Sequence, residues 1–340
     1  MRKPDYEHNT LKILRGQKAE RATLFEIFLN AEFYERLAGR KAKDASRLEQ
    51  LKLVVDAMAS AGYDYATAHA SDYSFSRAKQ TQMQTISLND RPPITDWQSF
   101  EAYDWGDPRL FDTSALEKIG GYLPEGMKLM VMGPGGVLEN VIALMGYDNL
   151  CLMLYDDPQL VRAIADRVGE LLVSYYQGII GYDSVGFLCS NDDWGFNTQT
   201  FLSPEDMRSY IFPWHQRIAQ VAHKASKPCI LHSCGCFEQV IEDVITLMRY
   251  DGRHSYEDKI CPVEEAYELL VGRIAVMGGI DMDFMTRKTP REIYDRATAM
   301  LQRSGERGGY FLGTGNSVPE TIPFDHYLAM TQAAFDFGKT

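Results

Sequence analysis

Cysteine is scarce in this chain: six in 340 residues, too few for a disulfide scaffold, so each thiol is expected to be free, as a core hydrophobe or a metal ligand. Basic residues are outnumbered, 35 Lys and Arg against 47 Asp and Glu, giving a formal charge of -12. A surface that tracks phosphates needs a basic face, so nucleic acid is not an expected partner. No stretch approaches the ~18 uninterrupted apolar residues of a membrane helix. The N-terminal Met1-Arg-Lys-Pro-Asp-Tyr-Glu-His lacks the apolar core of a secretory signal. The expectation is a cytoplasmic protein with no membrane partner. Low-complexity tracts, charge blocks, Pro/Ser-rich linkers and solenoid-type repeats are also missing, which predicts a single domain over 1–340. Lastly, no GxGxxG follows the first apolar run, which weighs against an open dinucleotide-binding sheet.

What is present is a recurring unit: a short apolar run ending in Gly, Asn, Asp, His or Ser, then a longer segment of helical period. Eight such runs, 24–29, 63–69, 128–133, 184–190, 228–234, 250–256, 273–279 and 309–315, alternate with helical segments at 46–61, 108–119, 158–178, 204–225, 237–248, 262–271, 290–303 and 323–337. Thr289-Pro290 and Ser203-Pro204 each put a capping hydroxyl before a proline at the first helical position. Pro213 should kink the 204–225 helix. Eight strand-helix units predict an α/β fold, a (β/α)8 TIM barrel with an N-terminal helical extension and a long insertion after strand 2, over about 70–127. The insertion carries Trp97, Phe100, Tyr103, Trp105 and Phe111, either packed over the rim or forming a lid.

In a barrel, reactive groups belong at the C-terminal strand ends. There fall His69, His232, His254, Asp192, Asp193, Cys234, Glu257, Asp281 and Asn316, whereas His215, His223 and His326 fall in helices. His215 and His223 are therefore expected outside the cavity. His232 and Cys234, two apart on a strand, point the same way and can offer an imidazole and a thiolate to one ion, a set suited to zinc. Asp192 and Asp193 point oppositely, so only one can face the cavity, as a proton acceptor or substrate ligand, and spacing does not choose between them. The catalytic candidates are Asp192, Asp193 and His254; the substrate-binding candidates are His69, Asp281 and Asn316. Cys229 and Cys151 read as core residues.

The ordered segments Asn191-Asp-Asp-Trp-Gly-Phe-Asn-Thr-Gln, Leu202-Ser-Pro-Glu, Lys227-Pro-Cys-Ile-Leu-His-Ser-Cys-Gly, His254-Ser-Tyr-Glu-Asp, Met277-Gly-Gly-Ile-Asp and Gly313-Thr-Gly-Asn-Ser-Val-Pro together resemble the uroporphyrinogen decarboxylase superfamily from about Gly133 onward. The resemblance implies one of two activities: cofactor-free decarboxylation of porphyrinogens, or zinc-dependent methyl transfer with a corrinoid protein. The decarboxylase branch carries an N-terminal RQAGRY segment that grips substrate carboxylates; here 5–28 holds only Arg15 and Arg21. The His232-x-Cys234 pair resembles the zinc motif of the methyltransferase branch. That branch usually adds a cysteine near Gly315 or Asn316, and none is there. A third ligand should then come from a carboxylate, another histidine, or Cys189, Cys236 or Cys261, with Glu139 and Glu257 among the carboxylates. The resemblance thus implies a methyltransferase with zinc at His232 and Cys234 and a small methylated donor; without a second thiolate the metal would be a stronger Lewis acid, which favours an O-methyl donor. Cobalamin would be supplied by a corrinoid protein partner. Homodimeric assembly is left open.

Overall fold

The computed structural model describes residues 2–42, 45–75, 89 and 92–338. Seven strands form one parallel sheet in chain order: β1 Tyr65–His69, β2 Lys128–Met132, β3 Val185–Asn191, β4 Cys229–His232, β5 Gly252–His254, β6 Ala275–Met277 and β7 Tyr310–Phe311. Each pairs only with its sequence neighbours, so every connection is a crossover, and the helices that make the crossovers cover the sheet. That covering is why the strands read as continuous apolar runs, such as Lys-Leu-Met-Val-Met in β2 and Val-Gly-Phe-Leu-Cys in β3.

The expected strand over 24–29 is reduced to a bridge. Leu24 pairs in parallel with Leu312, Phe25 N donates to Leu312 O (2.8 Å), and Leu312 N donates to Thr23 O (2.9 Å). Toward β1 the contact is made by a side chain: the Tyr65 hydroxyl accepts from Glu26 N (2.8 Å) and donates to Glu26 O (2.7 Å). A phenol occupies the backbone groups a ladder would use, so among the described residues the sheet has seven strands where eight were expected.

Helix starts follow their capping chemistry. Pro290–Ser304 begins with a reciprocal Thr289/Glu292 capping box, and Pro158–Ile179 with Asp157 accepting from Leu160 N. The expected 204–225 helix divides into Pro204–Asp206, a π-helical turn Met207–Ile211, and Phe212–Lys224. Pro213 has no N–H for the Ser209 carbonyl, and Arg162 Nη1 takes that carbonyl instead (2.9 Å). Among the helices outside the expected segments are Val137–Met145 and Tyr147–Asp156, bent by 91° at Gly146. Among the described residues no single helix is long and apolar enough to cross a membrane.

In the insertion the aromatics pack on one another: Phe100 and Tyr103 meet Trp105 edge-on, and Trp97 donates from Nε1 to Asp157 (2.8 Å). Residues 76–88, 90 and 91, part of the expected 70–127 insertion, lie outside the described residues.

Candidate metal centre

The parallel register of β3 and β4 builds the site. Asn191 pairs with His232, and the ladder continues past the strand ends through Asp192 N to His232 O (2.9 Å) and Trp194 N to Cys234 O (3.3 Å). Paired residues in parallel strands share a face, so Asp193 stands beside Cys234 on the face that carries His232. A carboxylate oxygen of Asp193, a ring nitrogen of His232 and the sulfur of Cys234 all lie within 4.8 Å of one another. One Asp193 oxygen also accepts from Cys234 N (2.9 Å), which fixes the carboxylate to the turn. At Gly235 the turn passes so close to Gly195 that a Cβ would sit 2.1 Å from the Gly195 carbonyl oxygen, and φ is +91°. Only glycine meets both conditions.

The donor set fits a zinc-type cation. His232 Nε2 and Cys234 Sγ are 3.7 Å apart, against about 3.6 Å for nitrogen and sulfur ligands on one tetrahedral zinc. One N, one S and one O donor make the three-ligand set that leaves a fourth position open for a reacting group. Burial pushes His232 down to about 4, so the imidazole is neutral. Burial first, then the Asp193 charge, push the Cys234 thiol up to about 12. A cation would therefore displace a thiol proton on binding.

Asn316 completes the wall. Its Nδ2 lies 3.2 Å from Cys234 Sγ, while its Oδ1 accepts from Ser317 N (2.8 Å), which sets the amide with its N–H groups toward sulfur. Where the resemblance leads one to expect a second thiolate, this chain has a donor to the first. Ser255 Oγ, 3.5 Å from the same sulfur, was not singled out in the sequence.

Three of the candidates have polar atoms engaged by other segments of the chain. Asp192 is fully buried. It accepts from Leu138 N (2.9 Å) and Glu139 N (2.8 Å) at the start of Val137–Met145, and faces His215 Nε2 at 2.8 Å. It is a helix-capping acid with a histidine partner, whereas Asp193 stands in the donor cluster with His232 and Cys234. His254 is also fully buried, its two ring nitrogens occupied by His232 Nδ1 (2.9 Å) and the Thr314 carbonyl (3.0 Å). Asp281 spends one oxygen capping Met282–Arg287 through Phe284 N and the other on Asp258 N (both 3.0 Å).

His69 stands exposed at the end of β1, its ring stacked on Phe28 with centroids 5.3 Å apart. Among the third-ligand alternatives, Glu139 caps its own helix through Gly136 N. Cys236 and Cys261 turn to Glu238 and the Pro262 carbonyl, and Cys189 is buried in β3. Glu257 is raised by burial and by the charges of Asp281 and Asp193, the mark of an acidic mouth.

Beneath the site lies Glu26, which the sequence displays only as one acid inside the apolar run Leu24-Phe-Glu-Ile-Phe-Leu. It is fully buried, and desolvation raises its carboxyl to about 8. An acid with a raised folded pKa stabilises fully below its unfolded value and loses that stability as pH climbs through the folded value. Folding stability should therefore fall from about pH 4.5 to about pH 8 by ~1.4 kcal/mol per unit. Glu26→Gln should remove that slope and leave the variant roughly 3 kcal/mol more stable than wild type at pH 7. Denaturant unfolding at pH 5 and pH 8 measures the difference; parallel slopes in the two proteins would exclude a neutral Glu26.

Residues 126–337 match the sequence profile of uroporphyrinogen decarboxylase (URO-D). The chain belongs to the uroporphyrinogen decarboxylase family. Within the URO-D family it is 24% identical to the uroporphyrinogen decarboxylase of Anaeromyxobacter dehalogenans (strain 2CP-C) over 197 residues, which cover 57% of this chain and 53% of that protein. It is 25% identical to that of Bacillus cereus (strain B4264) over 202 residues, covering 57% and 52%. This URO-D family chain spans about half the length of the curated relatives it matches. A solved methyltransferase from Methanosarcina mazei has the same fold, with a TM-score of 0.71 and 14% identity over 96% of this chain and 97% of that one.

Proposed function

We propose that this chain is a corrinoid-dependent methyltransferase. It moves a methyl group between a small methylated compound, preferably an O-methyl one, and the cobalt of a separate corrinoid protein. The reading includes a closed (β/α)8 barrel, with 24–29 as the eighth stave, and a zinc ion held by Asp193, His232 and Cys234. The observation that carries it is that three-donor cluster at the C-terminal ends of β3 and β4. Bound there, zinc would supply Lewis acidity toward a methoxyl oxygen, and a carboxylate in place of a second thiolate keeps it electron-poor.

The remaining work falls to side chains. Asn316 directs its amide N–H at Cys234 Sγ and so favours the thiolate a metal needs. Asp193, tied to the Cys234 amide, keeps carboxylate and sulfur on one wall. A reduced corrinoid would supply the electron pair for the new bond to the methyl carbon, and a zinc ion held by Asp193, His232 and Cys234 would take up the electron pair left on the donor oxygen. Both a small donor and a corrinoid protein would approach from the strand-end face.

The names of the relatives favour a second reading, decarboxylation without a metal. Against it, Arg21 is spent on Asp64, just before β1, and on the Lys3 carbonyl, at the opposite end of the strands from the site. The mouth carries Asp193 and Glu257, which would repel a polycarboxylate.

Methyl transfer to free cobalamin should be measured with methoxylated aromatics, simple methyl ethers and methyl thiols side by side. Turnover is expected with the oxygen-linked donors. Activity confined to the thiols would refute the donor class, and metal-free decarboxylation of porphyrinogens would refute methyl transfer.

A further inference from the structure

We infer that His254 is a positioning residue: it holds His232 with the proton on Nδ1 and thereby leaves Nε2 bare toward Cys234. The inference rests on the reading of His232 as a metal ligand.

Hydrogen-bond directions along the buried chain decide it. The Thr314 carbonyl can only accept, so His254 Nε2, 3.0 Å away, carries a proton. His254 is fully buried, with Phe25 at 4.9 Å between ring centroids, a setting in which an unpaired charge is costly and the ring stays neutral. In the neutral ring Nδ1 is then a lone pair. His232 Nδ1 lies 2.9 Å from that lone pair, with the two rings stacked at 29°, and has to donate. The only lone pair left on His232 is at Nε2, 3.7 Å from Cys234 Sγ.

The far end of the chain is anchored in the same way. Thr314 Oγ1 lies 2.6 Å from the Asn316 carbonyl and 2.5 Å from Glu26 Oε2, while Thr314 N donates to Glu26 Oε1 (2.9 Å). The hydroxyl has one proton and a carbonyl has none to give, so that proton goes to Asn316 and Glu26 supplies its own to Thr314 Oγ1. The ionisable groups that sense Glu26 are buried tyrosines, Tyr34, Tyr63, Tyr65, Tyr310 and Tyr327. A neutral acid thus pins the one segment that steers both donors: the Thr314 carbonyl through His254 to His232, and the Asn316 amide to Cys234. Partners of this kind beyond a metal's ligands fix imidazole tautomers and are worth roughly 10–100-fold in metal affinity.

Histidine 15N spectra of the metal-free protein read the tautomers directly. The expected result is His232 protonated at Nδ1 and His254 at Nε2; His232 protonated at Nε2 overturns the inference. Zinc competition against a chromophoric chelator measures the consequence. His254→Phe should weaken zinc roughly 10–100-fold and mix the His232 tautomers. His254→Gln, whose amide can accept from His232 and donate to Thr314, should restore most of the affinity and keeps the test usable if the Phe variant misfolds. Unchanged zinc affinity in a folded His254→Phe overturns the inference. Failure of the metal reading looks different: wild type retains no zinc, while the tautomers still report on His254.

Discussion

Asp192→Ala should destabilise the protein by about 3–5 kcal/mol, the usual cost of removing one partner from a buried, hydrogen-bonded pair. In a chain of this length that corresponds to a melting-temperature drop of roughly 5 °C. Three donors lose their acceptor together: two backbone amides at the start of Val137–Met145 and the Nε2 of His215, a ring that is itself fully buried and held at Nδ1 by the Tyr250 hydroxyl at 2.7 Å. The cavity left behind cannot close easily. A Cβ on Gly136 would fall 2.1 Å from that of Asp192, so the helix start already presses on the carboxylate. Asp193→Ala, one residue on, should lose only its bond to Cys234 N, costing about 1 kcal/mol, while weakening metal. Thermal unfolding of the two variants separates the roles; equal losses would mean that the β3 and β4 register does not divide them into a buried cap and a cavity ligand.

The largest effect on activity is expected at the two central donors. His232→Ala or Cys234→Ala leaves two protein ligands where catalytic zinc sites have three, and methyl transfer should fall at least ~1000-fold, equivalent to about 4 kcal/mol of transition-state stabilisation. Stability should change little, because strand-end residues carry chemistry while the packed layers below carry the fold. Initial rates with an oxygen-linked donor, alongside melting temperatures, check both halves. Retained turnover in both variants would remove the metal from the mechanism. A large melting-temperature drop with activity retained in Cys234→Ala would make that sulfur a packing atom.

Much of this was legible in advance because strand and helix periods differ. The apolar runs at 128–133, 184–190 and 228–234 locate β2, β3 and β4, and the Ser203 and Thr289 caps locate helix starts. What the sequence could not supply was register. Asp192 and Asp193 are equivalent until Asn191 is seen opposite His232, and that pairing depends on how neighbouring strands slide. Occupancy was equally hidden. His254 and Asp281 sit at strand ends as expected, yet hydrogen bonds from distant segments have already claimed their polar atoms. His215 lies in a helix, as the period of its segment implies, but nothing in its spacing shows that it partners Asp192. The 24–29 run has strand composition and still forms only a bridge, because the Tyr65 hydroxyl takes the backbone groups of Glu26. Glu26 itself had a signal, an acid flanked by Phe25 and Ile27, which is the usual trace of a buried carboxyl serving a purpose.

The central claim is that Asp193, His232 and Cys234 hold one metal ion. Elemental analysis by mass spectrometry of protein purified without chelator tests it most directly. The account predicts about one zinc per chain in wild type and almost none in Cys234→Ala. Wild-type protein free of zinc and taking none up when it is offered, or Cys234→Ala retaining a full equivalent, would contradict it.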